Sequence, residues 1–140
     1  MPRALGVDLG TRRIGLAISD PRGTVATPYA TLERTNDEHD ARAIAEVAAA
    51  EEAKLVILGL PLSLDGSRGD AAAVAEAFAA KLKESGVRVT LWDERLTTKE
   101  AESKLKKRGM KGRARRAVVD KVAAQVLLQS YLDAKRPGQS

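Results

Sequence analysis

Residues 4–19 read ALGVDLGTRRIGLAIS, two short apolar runs separated by Gly-Thr-Arg-Arg. Each run is long enough for a β-strand, and the four residues between them are enough to turn the chain back on itself. A third run, TVATPYATL at residues 24–32, follows a turn at DPRG, residues 20–23. The pattern therefore predicts a three-strand antiparallel meander at the start of the chain.

After the meander, predicted helices alternate with strands. Apolar residues at helical spacing predict a helix over residues 36–53, with Asn36 or Asp37 as its cap. KLVILGLP, residues 54–61, is a continuous apolar run of the kind found in a strand covered on both faces. A second helix is predicted over residues 67–86, where Gly86 can take the left-handed conformation that often ends a helix.

The remaining elements are a fifth strand, VRVTLW at residues 87–92, and helices at about residues 98–108 and 114–134. Helical crossovers join parallel strands, whereas short turns join antiparallel ones. We therefore expect an α/β fold, a five-stranded mixed sheet made of an antiparallel three-strand meander plus two parallel strands, with helices on both faces. No linker or repeat divides residues 1–140, so we expect a single domain.

The composition excludes several kinds of site. The 140 residues include no cysteine and a single histidine, His39, so disulfides, thiolate metal sites, His-rich zinc sites and a Ser-His-Asp triad are not expected. No apolar run of about 18 residues and no signal-peptide pattern is present, which predicts a soluble, cytoplasmic protein without membrane contact. Catalysis must then depend on carboxylates, hydroxyls, Lys or Arg.

A strongly basic stretch, KLKKRGMKGRARRAVVDK, occupies residues 104–121. Against one acid it carries nine basic residues, Lys104, Lys106, Lys107, Arg108, Lys111, Arg113, Arg115, Arg116 and Lys121. This density predicts contact with nucleic acid, although a solvated helix face is the alternative. Aromatic residues are only 3% of the chain, which favours recognition of backbone or shape over extensive base stacking.

Asp8 interrupts the apolar run of the first strand. An unpaired carboxylate in a central strand costs several kcal/mol or changes its pKa, so something must compensate it. Gly10, just beyond the strand, would allow a ligand to approach the backbone closely. The alternative is that Asp8 accepts a hydrogen bond from a turn amide or pairs with Arg12 or Arg13.

Asp93 and Glu94 lie at the end of the fifth strand, where open α/β sheets collect catalytic groups. Thr97 and Glu100 form a capping box, so Glu100 is assigned to the start of the next helix. Because side chains alternate along a strand, Asp93 and Glu94 point to opposite faces if the strand stays extended, and only one of them can reach a given site. Arg95 could neutralise either.

Asp120 falls on the apolar arc of the last helix, among Ala123, Ala124, Leu127 and Tyr131. That arc is expected to face the sheet, with Lys121, Gln125 and Gln129 on the opposite, solvated arc. A buried pair with Arg95 is the plain alternative for Asp120.

Three carboxylates that meet without a cation repel one another, and hard divalent ions are the usual compensation. Oxygen ligands without His or Cys favour Mg²⁺ or Mn²⁺ over zinc. Such ions can activate a water and stabilise the leaving oxygen when a phosphodiester is hydrolysed.

Four motifs in this order resemble the YqgF or RuvX family of the RNase H-like superfamily, whose members are named as Holliday junction resolvases or pre-16S rRNA nucleases. They are GVDLGTRRIGLA at residues 6–17, LGLPLSLDG at 58–66, DERLTT at 93–98 and VDKVAAQVLLQSYL at 119–132. The resemblance spans nearly the whole chain. It implies an RNase H-like fold and a metal-binding, catalytic triad of Asp8, Glu94 and Asp120.

Around that triad we expect supporting roles for Asp93, Arg95, Gly10 and Thr11. Nucleic-acid contacts are expected from Arg12, Arg13, Arg68, Lys106, Lys107, Arg108, Lys111, Arg113, Arg115 and Arg116. Arg68 belongs to GLPLSLDGSRG, residues 59–69, which is either a phosphate-contacting loop at a helix start or a plain strand-to-helix turn.

The resemblance implies a metal-dependent nuclease acting on structured nucleic acid, with 5′-end maturation of precursor 16S rRNA during ribosome biogenesis ahead of Holliday junction resolution in DNA. The ribosome is an expected partner, and the chain is expected to act as a monomer or homodimer. A non-catalytic RNA-binding module for ribosome assembly is the second alternative. An actin-like ATPase or kinase, which DLGT also resembles, is disfavoured because such folds need two lobes.

Overall fold

The computed structural model describes residues 3–62, 65–66, 68–93 and 112–135, and for residues 112–119 it describes the backbone alone. The strands are β1 Arg3–Leu9, β2 Arg13–Ser19, β3 Ala26–Glu33, β4 Ala53–Leu60 and β5 Arg88–Asp93. The helices are α1 Asp37–Ala50, α2 Asp70–Glu84 and α3 Gly112–Lys135.

The five strands form one sheet in the order β3-β2-β1-β4-β5. β1 pairs antiparallel with β2, which pairs antiparallel with β3, so the predicted meander is confirmed. β4 is parallel to β1 and to β5, as expected for strands that are joined by helical crossovers. The predicted α/β fold with a mixed five-stranded sheet is therefore confirmed.

The two faces of the sheet carry separate cores. On one face, Leu5, Val7 and their neighbours pack against α1 and α2, with Phe78 fully buried. On the other face, Ile57 and Ala17 pack against Ala124, Leu128 and Leu132 of α3. Helices thus cover both faces, and α3 alone among the described helices covers the second one.

Two of the helix ends agree with the sequence signals, the start of α1 and the end of α2. Asn36 caps α1, its side-chain oxygen accepting a hydrogen bond of 2.8 Å from the backbone N–H of His39. Gly86 follows α2 with a φ of +89°, the left-handed conformation predicted for it. α2 begins at Asp70 rather than at residue 67. The helix predicted at residues 98–108 lies outside the described residues.

The prediction of a solvated arc on the last helix was wrong for its two glutamines. Gln129 accepts a hydrogen bond of 2.9 Å from the backbone N–H of Ala26 and donates one of 2.9 Å to the carbonyl of Thr24. Gln125 donates to the carbonyl of Ala26 at 3.1 Å. The amides serve the first residue of edge strand β3 and the turn before it, because α3 lies across that end of the sheet.

Within the described ranges, no helix combines the length and the apolar character that crossing a membrane requires.

Candidate metal and nucleic-acid site

The candidate residues gather at one edge of the sheet. The parallel strands β1, β4 and β5 all end there, at Leu9, Leu60 and Asp93. The antiparallel strand β2 begins at the same edge with Arg13, and the tight turn of residues 10–12 joins it to β1. In open α/β sheets this edge is where ligands and catalytic groups collect.

Side-chain alternation places Asp8 on the face that α3 covers. Leu5 and Val7 of β1 belong to the core beneath α1 and α2, so Gly6 and Asp8 point the other way. Asp8, the residue that interrupts the apolar run, therefore lies beside α3 and at the carboxyl edge of a central strand.

Two glycines allow α3 to reach this part of the sheet. Gly15 is the register partner of Asp8 on β2, and a Cβ added there would overlap the backbone carbonyl of Asp120. A Cβ on Gly6 would lie 2.8 Å from the Cβ of Leu128. Because neither position has a side chain, the backbone of α3 rests on the strands and brings Asp120 to the edge where Asp8 lies.

The carboxylate of Asp120 is close enough to Asp8 to act on the charge of Asp8. Burial in the protein, and then the negative charge of Asp120, raise the pKa of Asp8 from 3.8 to about 6. Asp8 has no hydrogen-bond or ion-pair partner among the described residues. The raised pKa is the change expected for a carboxylate that interrupts an apolar strand without a compensating partner. The structure shows no ion pair of Asp8 with Arg12 or Arg13 and no hydrogen bond to Asp8 from a described turn amide.

Asp120 is paired, with Arg13. The Nε of Arg13 donates to the Oδ2 of Asp120 at 2.7 Å, and both side chains are about one-fifth exposed. Arg95, the partner considered from the sequence, lies outside the described residues. Sequence reasoning missed the Arg13 pair, although a signal existed: Arg13 and Gly15 are two apart on β2 and so share the face that α3 covers.

A backbone hydrogen bond closes the tight turn before Arg13. The N–H of Gly10 donates to the carbonyl of Arg13 at 2.9 Å, and a Cβ on Gly10 would lie 2.6 Å from that oxygen. Gly10 is therefore required by the turn itself, whether or not a ligand approaches it. Thr11 and Arg12, between them, are exposed to solvent.

The loop between β4 and α2 is described only in part, since residues 63, 64 and 67 lie outside the described set. Gly66 has a φ of +86°, a left-handed conformation that is compatible with the plain strand-to-helix turn considered for this loop. Arg68, predicted to contact phosphate, forms an ion pair with Glu76 of α2 while its side chain remains largely exposed.

At the end of β5, Asp93 is exposed and holds an interaction within the protein. Its neighbour Trp92 lies on the α3 face, where the indole N–H donates to the hydroxyl of Ser130 at 3.2 Å and the ring meets Tyr131 edge-on. Alternation therefore puts Asp93 on the face away from α3. Glu94 and Arg95 lie outside the described residues.

Most basic side chains of residues 104–121 lie outside the described part of the structure. Lys106, Lys107, Arg108 and Lys111 are outside the described ranges, and the side chains of Arg113, Arg115 and Arg116 are not described. Their nucleic-acid contacts stay predictions.

A divalent cation fits the donors that are present. Among the described residues no three acidic or histidine side chains form a cluster, and Asp8 with Asp120 is the pair that the fold brings together. Asp8 is a half-buried carboxylate without a partner among those residues, and its neighbour carries a second negative charge. Such an all-oxygen donor set suits a hard ion such as Mg²⁺ or Mn²⁺.

Comparison with known proteins agrees with the motifs and the fold. The family model RuvX, described as Holliday junction resolvase, matches residues 2–134. A Myxococcus xanthus protein named "Putative pre-16S rRNA nuclease" is 47% identical over 96% of this chain and 90% of its own length. A protein of the same name from Desulforudis audaxviator is 42% identical over 99% of both chains.

Solved structures show the same fold at low identity. Thermus thermophilus RuvC in complex with a Holliday junction substrate gives a TM-score of 0.55 at 16% identity over 96% of each chain. The fowlpox virus resolvase in complex with Holliday junction DNA gives 0.54 at 15% identity, covering 94% of this chain and 97% of that one. With the family match and the close relatives, these likenesses confirm the expected RNase H-like nuclease, and this chain belongs to the RuvX family.

Proposed function

We propose that this protein is a divalent-metal-dependent nuclease that acts in 5′-end maturation of precursor 16S rRNA during ribosome biogenesis. The observation that carries the proposal is the proximity of two carboxylates, Asp8 and Asp120, at the carboxyl edge of β1. The pKa of Asp8 is raised there, and Asp8 has no hydrogen-bond or ion-pair partner among the described residues. The choice of rRNA as substrate is supported by the names of relatives that are 42–47% identical over nearly the whole chain.

In this proposal Asp8, Glu94 and Asp120 would hold Mg²⁺ or Mn²⁺, and the ion would supply activation of a water and stabilisation of the leaving oxygen in phosphodiester hydrolysis. The alternation of β5 supports Glu94 over Asp93 as the third ligand. Trp92 is on the α3 face with Asp8 and Asp120, so the next side chain on that face in a continued strand is the one at residue 94. Asp93 then serves as a supporting residue, together with Arg95, Gly10 and Thr11.

The chain's own residues bind and orient the substrate. We expect Arg12, which is exposed in the turn between β1 and β2, to contact a phosphate of the bound strand. Arg68 and the basic stretch at residues 104–121 supply further positive charge, which attracts the nucleic-acid backbone without reading its sequence. Asp8 must give up its proton to bind a cation, because a hard ion requires an ionised carboxylate.

A second candidate is a Holliday junction resolvase-like DNA endonuclease in recombination and repair. The description of the matching family over residues 2–134, Holliday junction resolvase, is the reason to keep it, whereas the names of the relatives favour the rRNA nuclease. Similar folds in RuvC and the fowlpox resolvase are compatible with it, although at 15–16% identity they bear on the fold alone.

The test is cleavage by the purified protein of three substrates, namely a precursor 16S rRNA fragment, a single-stranded RNA and a four-way DNA junction, each with Mg²⁺, Mn²⁺ or EDTA. We expect metal-dependent cleavage of the precursor rRNA at the 5′ side, and loss of it in Asp8→Asn. Cleavage of the junction alone would favour the second candidate. Cleavage of the rRNA in EDTA at the full rate would contradict the metal-dependent mechanism.

A further inference from the structure

Arg13 forms an ion pair with one of the two acids of the candidate site. Its Nε donates to the Oδ2 of Asp120 at 2.7 Å, a charge-assisted hydrogen bond between two largely buried side chains. The same Asp120 is the carboxylate that faces Asp8. One positive charge from β2 therefore neutralises one of the two acids of the site.

The main chain of Arg13 is fixed while its side chain has a single described bond. Its carbonyl accepts from the N–H of Gly10 at 2.9 Å, and in β2 it is the register partner of Glu33. Within the part of the chain that the structure describes, the terminal guanidinium nitrogens bond to nothing. A rotation of the side chain alone would thus release Asp120 without disturbing the hairpin.

We propose that Arg13 exchanges partners during the reaction cycle: it holds Asp120 in the structure described, would leave this carboxylate when a divalent cation binds there, and would then bind the substrate phosphate. A divalent ion among Asp8 and Asp120 repels the guanidinium and competes with it for the same carboxylate oxygen. A phosphate arriving with the ion offers a guanidinium the planar, two-point contact for which arginine is suited. This inference rests on the proposed function, because it takes Asp8 and Asp120 as metal ligands.

Removal of Arg13 should change metal affinity in opposite directions, depending on whether Arg13 supports Asp120 as a ligand or competes with the ion for it. If Arg13 oriented Asp120 for the ion, its removal would weaken metal binding, as removal of an outer hydrogen-bond partner usually does. If Arg13 competes with the ion, its removal strengthens metal binding, because a nearby positive charge and a rival for Oδ2 both disappear.

The experiment is calorimetric titration of Mn²⁺ into the metal-free protein, in the wild type and in Arg13→Gln, Arg13→Lys and the control Arg22→Gln. Arg22 lies exposed in the turn between β2 and β3, at the far edge of the sheet. We expect Arg13→Gln to lower the Kd for Mn²⁺ about tenfold, because one unit charge near a divalent ion is removed. Arg13→Lys, which keeps the charge, and Arg22→Gln should both bind as the wild type does.

An unchanged or weaker Mn²⁺ affinity in Arg13→Gln would overturn the partner exchange. Titration of Asp8→Asn separates this failure from that of the proposed function: if the wild type binds Mn²⁺ no better than Asp8→Asn, the metal site itself is wrong. A measurement on the wild type covers the case in which Arg13→Gln does not fold. The Nε–H signal of Arg13, assigned by its disappearance in Arg13→Lys, should shift on addition of Mg²⁺, and a signal that stays in place would contradict release.

Discussion

The backbone carbonyl of Asp120 lies against Gly15, the residue that pairs with Asp8 across the hairpin. The absence of a side chain at position 15 is therefore what lets a helix residue from late in the chain meet a strand residue from its start. The metal site proposed for this protein depends on that contact as much as on the acids themselves.

We predict that Gly15→Ala destabilises the protein and strongly reduces cleavage. The added methyl group would overlap backbone of α3, which cannot move aside by a change of rotamer, so the helix must shift. Overpacking of this kind costs about 1–3 kcal/mol. Urea unfolding and cleavage rates measure the two effects. A Gly15→Ala protein with wild-type stability and activity would show that α3 does not lie against β2 as described.

Asp8→Asn should abolish cleavage and stabilise the metal-free protein at neutral pH. The pKa of Asp8 is raised from 3.8 to about 6 in the folded state, so the folded protein holds a proton that the unfolded chain releases between those values. The free energy of unfolding of the wild type therefore falls as pH rises through this window, by up to about 3 kcal/mol.

The asparagine variant lacks this dependence and should exceed the wild type in stability above pH about 6, with no advantage below pH about 4. Urea unfolding in EDTA across this pH range checks the sign. An asparagine variant less stable than the wild type at neutral pH would show that the Asp8 carboxylate is stabilised by a partner.

Gln129→Leu should lower the free energy of unfolding by about 1–3 kcal/mol, because the backbone N–H of Ala26 loses its acceptor in a half-buried position. Gln129→Glu, which keeps the acceptor but loses the donor to Thr24, should fall between the wild type and the leucine variant. Thermal unfolding of the three proteins provides the comparison. Equal stability of all three would mean that water replaces the glutamine at the β3 edge.

Replacement of Lys106, Lys107 and Arg108 by Ala should flatten the salt dependence of nucleic-acid binding. On duplex DNA, the slope of log K against log salt should decrease by about 0.9 for each phosphate that the variant no longer neutralises. Filter binding at a series of salt concentrations measures that slope. If it does not change, this part of the basic stretch is a solvated surface that does not touch phosphate.

The architecture could be predicted because its signals are local. The apolar runs of β1 and β2 with a short polar turn between them, Asn36 at a helix start and Gly86 at a helix end each act through neighbouring residues, and all were confirmed. The anomaly of Asp8 was also visible, since a carboxylate in a central apolar strand conflicts with its surroundings whatever the rest of the chain does.

The contacts of α3 could not be predicted in the same way, because they depend on how far the helix lies from the sheet and how it is rotated. The helical pattern placed Asp120 correctly toward the sheet but put Gln125 and Gln129 in solvent, where polar residues usually lie. The polar backbone at the start of an edge strand, which these amides satisfy, cannot be read from the helix's own sequence. The pairing of Arg13 with Asp120 has the same origin, 107 residues apart in the chain.

The central claim, that Asp8, Glu94 and Asp120 form the catalytic metal site, is tested most directly at the end of β5. Glu94→Gln and the adjacent Asp93→Asn each remove one negative charge, but side-chain alternation puts only the residue at 94 on the face of Asp8 if β5 continues. The measurement is single-turnover cleavage of the precursor rRNA with Mg²⁺ by the two variants, with filter binding to show that substrate is still bound. We predict a decrease of several orders of magnitude for Glu94→Gln and of about 10–100-fold for Asp93→Asn, the size typical of a residue that supports a ligand. A Glu94→Gln enzyme that cleaves faster than Asp93→Asn would contradict the assignment.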